Sequence, residues 1–211
     1  MSSDDEIFSA IAEERRALAA TVWDLSSEQW ATPSLCSEWT VKDVVAHLVV
    51  PLVTPVWRSG LTMVRARGNF HRANRLTARR AGRRYSARLP ELLFRNAASR
   101  FTPPGKGPMA PLTDIVVHGH DIRRPLHIAH RITDERQVAV LDFITSAPSR
   151  GIFPTSDVTL HWKATDLDWT FGSGPIVQGP AASLMLVLTG RTSALADVTG
   201  PGVEHLAKSA E

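Results

Sequence analysis

Cysteine is almost absent: Cys36 is the single one in the chain, which excludes an internal disulfide framework and a cysteine-rich zinc module. Long apolar runs are missing as well. No stretch reaches the roughly 18 residues that a spanning helix needs, so a membrane is not an expected partner. Residues 1–6, MSSDDE, are acidic and polar, unlike a secretory signal, and a cytoplasmic location is the expectation. Acidic residues are scarce in one region. Between positions 58 and 100 there are twelve arginines and one acid, Glu91. Such a bias suits nucleic acid, an anionic surface, an acidic substrate or merely a solvated helix face. No recognition motif such as a helix-turn-helix accompanies it, so nucleic acid is not expected.

What is present is ordinary for a globular chain: 43% apolar and 21% charged residues over 211 positions, with a net charge of +3. That length suffices for one large domain or two small ones with a real core. Apolar residues at three- and four-residue steps (Ile7, Ile11, Leu18, Val22, Leu25) predict a helix from about Ser3 to Leu25, with Glu13, Glu14, Arg15 and Arg16 on its other side. Ser26 and Gln29 read as a capping box. Thr40 with Asp43 starts a second helix, which Pro51 and Pro55 should end or kink a turn past His47 before it resumes through Trp57, Leu61 and Val64. A solvent-facing helical stretch is expected over 69–84, a helix over 89–101, and a loop over 102–108. Pro111 at N1 opens a helix that Pro125 stops, and Thr133 caps another running to about Thr145.

Beyond position 150 the pattern changes to period two. Residues 158–164 and 167–171 read as a hairpin, Gly172–Pro175 as a turn, and 181–188 as an apolar helix stopped by Gly190. One more strand between 194 and 202 and a short closing helix complete the expectation. Helices first and strands later predict a mainly α chain with α+β: a helical domain over 1–150 and a small α+β domain over 151–211.

One constellation carries chemistry. His47 interrupts the apolar face formed by Val44, Val45 and Leu48, and a buried imidazole needs partners for its nitrogens. Asp114 and His118, four apart, share one helix face. Two imidazoles and a carboxylate make a three-ligand set that leaves positions open, as in catalytic zinc sites, and also suit Fe(II), Ni(II) or Mn(II). A plain Asp–His hydrogen bond is the alternative. His120 and Asp121 lie off that face and read as supporting or exposed groups. Cys36 reads as packing.

Residues 39–48, WTVKDVVAHL, together with 117–126, VHGHDIRRPL, resemble two blocks of the mycothiol-dependent maleylpyruvate isomerase family. Gly179-Pro180-Ala181-Ala182 and the stretch from Leu186 to Arg191 resemble that family's small C-terminal domain. The resemblance implies a DinB-like metal-binding four-helix bundle followed by a sterol-carrier-like domain. It implies a divalent metal, zinc first, held by His47, Asp114 and His118, where the family isomerase carries Glu at the position of Asp114. It also implies mycothiol or another small thiol as cosubstrate. The expected activity is thiol transfer or cis-trans isomerisation of a small acidic electrophile. Trp39, Arg123, Arg124 and Arg191 are the candidates for substrate or thiol contact, and no residue is assigned as catalytic. The alternative is a non-catalytic metal- or ligand-binding module that kept the fold. A homodimer is left open.

Overall fold

The computed structural model describes residues 3–54, 70–149 and 159–208. The chain is mainly α, with a three-stranded sheet in its C-terminal part. No helix among the described residues is long and apolar enough to cross a membrane. Contacts divide it into two compact units, residues 2–129 and residues 130–211.

Among the described residues the first unit is built on four long helices: α1 (Asp4–Trp23), α3 (Val41–Val53), α4 (Phe70–Tyr85) and α6 (Met109–Arg123). Two short ones, α2 (Ser27–Ala31) and α5 (Leu89–Arg95), join them. The capping signals act as read. Ser3 with Glu6, Ser26 with Gln29 and Thr40 with Asp43 each form a complete capping box. Helix α1 packs on α5 and α6, and α3 packs on α4, α5 and α6. Ile11, Leu18, Val44, Val45, Leu89, Leu93, Leu112 and Ile122 fill the space between them.

Several expectations shift. Pro51 does not end α3, which runs on to Val53 with Thr54 as its cap. The resumption through Trp57, Leu61 and Val64 lies outside the described residues. Helix α4 has the expected bounds, but it is not simply solvent-facing. Ala78, Ala81 and Gly82 form a buried small-residue face toward α3, and Arg79, Arg80, Arg83 and Arg84 stay exposed. Helix α5 stops at Arg95, because Asn96 caps it through its backbone and through Nδ2 to the Leu92 carbonyl at 2.8 Å. Helix α6 begins two residues before Pro111.

The larger correction concerns α1. Glu14 and Arg15 are buried, not solvated. Four consecutive charges span about 300° of a helix at 3.6 residues per turn, so some must face inward. Arg15 finds acceptors there, donating from Nη1 to the carbonyls of Ala97 (3.1 Å) and Ser99 (2.7 Å).

The second unit begins at residue 130, earlier than the boundary expected at 150. The helix α7 (Asp134–Thr145), capped by Thr133 as expected, packs on α8 (Ala181–Leu188) and belongs with the sheet. The Trp169 indole also donates to Asp142 of α7 at 2.8 Å. The sheet order is β2-β1-β3. Strand β1 (His161–Ala164) pairs antiparallel with β2 (Thr170–Phe171), which is the expected hairpin. It also pairs in parallel with β3 (Ile176–Gly179), a strand the sequence pattern did not separate from the turn. The late strand expected over 194–202 is a 3₁₀ turn (Thr192–Asp197) with one bridge, Gln178 to Thr199. Gly190 sits at φ 88°, and the Arg191 amide returns to the Leu186 carbonyl (2.8 Å), the Schellman stop that glycine favours. Helix α9 (Val203–Lys208) closes the unit.

Candidate metal centre

Local sequence fixes where the polar side chains stand. The Thr40 hydroxyl accepts from the Asp43 amide (3.3 Å), and Asp43 Oδ2 accepts from the Thr40 amide (3.1 Å) and hydroxyl (2.8 Å). This double closure starts α3 at a defined residue and places His47 nearly two turns in, on a wall of buried Val44, Val45 and Leu48. On α6, positions 114, 118 and 121 fall within about 60° of one another at 3.6 residues per turn, so Asp114, His118 and Asp121 form one polar stripe.

The two helices bring His47, Asp114 and His118 together, with one donor atom of each within 4.8 Å of the others. His47 Nε2 lies 3.5 Å from Asp114 Oδ1, and His118 Nε2 lies 3.4 Å from the same oxygen. Both separations are longer than a good N–H···O hydrogen bond. They lie close to the edge of a tetrahedron with bonds of about 2.0–2.1 Å, which is roughly 3.3–3.4 Å. The donor set is therefore compatible with a divalent ion. Asp114, shorter than a glutamate, still places one oxygen between both rings. Its side chain is 40% exposed, against 19% for His47 and 12% for His118, so the carboxylate side is the open one.

The remaining ring nitrogen of His118 is also accounted for. His118 Nδ1 donates to Asp121 Oδ2 at 2.8 Å, and Asp121 is fully buried. This bond selects the tautomer whose Nε2 lone pair points at the cluster. Sequence reading left Asp121 as a supporting or exposed group. Its i,i+3 spacing from His118 was the available signal, and burial decides for support.

Trp39 borders the cluster. Its ring is stacked on that of His118 (centroids 6.4 Å apart, planes within 8°) and meets His47 edge-on at 5.3 Å. The arginines separate. Arg123 lies on the opposite side of α6, buried against α1, where Nε donates to the Thr21 hydroxyl at 3.3 Å. Burial lowers its pKa to about 10, and the charge of Glu14 acts in the opposite direction. It is thus not placed for contact with a ligand at the cluster. Gly119 makes room for it, since a Cβ there would stand 2.9 Å from Arg123 Nη1. Arg15 is similarly lowered to about 10 by burial, with the Asp114 carboxylate pulling the other way. Arg124 caps α6, and Arg191, in the second unit, donates to the Thr189 carbonyl at 2.7 Å. Cys36 lies in the loop before α3, where its amide donates to the Ser34 hydroxyl at 3.2 Å.

A helical unit whose long helices converge two imidazoles and a carboxylate on one point defines a candidate metal-binding bundle. A family profile described as the mycothiol maleylpyruvate isomerase N-terminal domain matches residues 11–123, a span that holds all three converging residues. The chain belongs to that family. No curated protein and no solved structure matches it.

Proposed function

We propose that the protein is a metal-dependent enzyme that uses a small thiol, mycothiol or a relative, against a small electrophile. The observation carrying this reading is the single Asp114 oxygen set 3.4–3.5 Å from both Nε2 atoms, with Asp121 holding the far nitrogen of His118. His47 and His118 would hold the ion through Nε2 and Asp114 through Oδ1, and zinc is the ion we assign. A divalent ion there lowers the pKa of a coordinated thiol, which then reacts as thiolate. The protein's own part is positional. Asp121 fixes the His118 ring, Trp39 covers the two imidazoles and limits water on that side, and the exposed flank of Asp114 leaves an approach for the cosubstrate. The reaction class would be addition of the thiol across an activated C=C bond, sulfur to one carbon and proton to the other, or displacement of a leaving group that departs with its electron pair. Cis-trans isomerisation would be thiol addition followed by its expulsion. Arg124 remains a candidate anion contact, and the second unit is the sterol-carrier-like part of the reading.

The test begins with metal analysis of protein expressed with added zinc. One equivalent of divalent metal, lost in both His47→Ala and His118→Ala, is expected. Protein that stays metal-free under those conditions overturns the proposal. A screen of small thiols against electrophiles then reads the reaction. Full metal with no turnover across that panel favours the non-catalytic binding module.

A further inference from the structure

The loop over residues 32–40 is the roof of the cluster, and what holds it is unusual. It closes on itself through the Ser34 amide and hydroxyl, both donating to the Trp39 carbonyl at 2.9 Å, and through the Trp39 amide donating to the Cys36 carbonyl at 3.1 Å. This reversal forces Glu38 to φ 65°, the left-handed region that a residue with a Cβ adopts unfavourably. Such a conformation persists only where surrounding structure fixes it. Besides its bonds to the adjoining α2 and α3, the loop reaches α6 and α4. The Leu35 amide donates to the carbonyl of Asp121 (3.2 Å), the residue that orients His118. Arg79 Nη2 donates to the carbonyl of Glu38 itself at 3.1 Å, across 41 positions of sequence.

Arg79 stands on a helix that is well anchored. Gly82, three residues on, packs against α3, where a Cβ would make ordinary contact with the Ala46 Cβ at 3.7 Å, next to His47. The arginine therefore links the wall that carries His47 to the strained residue that precedes Trp39. We infer that Arg79 is a positioning residue: it latches Glu38 in its left-handed conformation and so sets the Trp39 ring over His47 and His118. The value of that placement rests on the metal-centre reading, but the latch itself is a property of the loop.

Two measurements test it. In the first, amide hydrogen exchange is followed over residues 34–41 in the protein as purified. Arg79→Gln is expected to speed exchange roughly tenfold, the effect of losing one charge-assisted hydrogen bond. Arg79→Lys, which keeps a donor, falls between. Glu38→Gly removes the cost of the left-handed backbone, so in the Arg79→Gln background it restores slow exchange. In the second, Co(II) quenching of tryptophan emission is recorded. The component that disappears in Trp39→Phe should shrink in Arg79→Gln and return in the double variant with Glu38→Gly. Unchanged exchange in Arg79→Gln, or loosening that Glu38→Gly does not reverse, overturns the inference. Failure of Co(II) to bind at all sinks the metal reading instead, and loop exchange still decides the latch.

Discussion

Helix α6 has two polar faces, and they differ in kind. One carries Asp114, His118 and Asp121, of which the first is 40% exposed and shares an oxygen between two imidazoles. The other carries Arg123, about 180° around the helix from Asp114 at 3.6 residues per turn, and turns it into the interface with Glu14 and Thr21 of α1. Both faces hold charged groups within a mostly apolar helix. On the α1 face the arginine is buried with a carboxylate on the neighbouring helix, as expected of a group that serves the fold. On the α3 face His47, Asp114 and His118 bring one donor atom each within 4.8 Å of the others beside an exposed flank, the arrangement of a candidate ligand site. Spacing along the sequence does not separate the two cases; partner geometry and exposure do.

The sharpest way to break this comparison is at Arg123. Arg123→Met leaves Glu14 buried without its cation, and the expected cost is about 3–5 kcal/mol of stability in urea unfolding. The double variant Glu14→Leu/Arg123→Met should recover most of it, because two apolar side chains need no partner. Its metal content should match the parent's. The direction of the arginine shift agrees with this. A guanidinium lowered to about 10 binds its proton less tightly in the fold than in the unfolded chain. Its burial is thus a cost at neutral pH, only partly offset by Glu14 and relieved as pH rises through about 10 toward the ordinary arginine range. A double variant as unstable as the single one would mean that the α1 face does more than satisfy itself. His47→Ala, which faces the half-exposed Asp114 rather than a buried carboxylate, should behave in the opposite way, with little change in the stability of metal-free protein. Its metal affinity should drop by roughly 3–4 kcal/mol, on the order of one ligand's share of a zinc site, read by competition with a chelator.

The contrast also shows what could be read before the fold. The start of α3 was legible because Thr40 and Asp43 are a local signal, closed by hydrogen bonds three residues apart. The Asp114/His118 pair was legible for the same reason, since a helix repeats every 3.6 residues. His47, a polar group interrupting an apolar face, offers itself as their partner, and the family resemblance, resting on residues 39–48 and 117–126, favours a shared metal over a plain hydrogen bond. The burial of Glu14 and Arg15 was not legible. Glu14 feels the charge of Arg123, and Arg15 donates to the carbonyls of residues 97 and 99. All lie far along the chain, and a run of four charges looks solvated in isolation. Strand β3 escaped because its parallel pairing with β1 is non-local, and the following Gly-Pro reads as a helix approach. The break between units was set late, at 150, because composition changes there, whereas the packing of α7 on α8 decides it.

Two smaller effects sharpen the α3 face. Asp121→Asn keeps an oxygen able to accept from His118 Nδ1 but removes the charge, so the ring is held less firmly and is less basic. Metal affinity should fall by 10–100-fold, the usual consequence of changing such a partner, with unfolding in the metal-free state nearly unchanged. Thr40→Ala is the finest probe. It deletes the hydroxyl that caps α3 and should cost about 1 kcal/mol of stability. It touches no group of the cluster, and His47 remains on a wall of fully buried Val44 and Val45. If packing preforms this face, metal affinity in Thr40→Ala stays within about twofold of the parent while the unfolding midpoint drops. If affinity instead falls along with stability, the ion assembles the wall rather than finding it ready. The two faces of α6 would then differ in when they form as well as in what they hold.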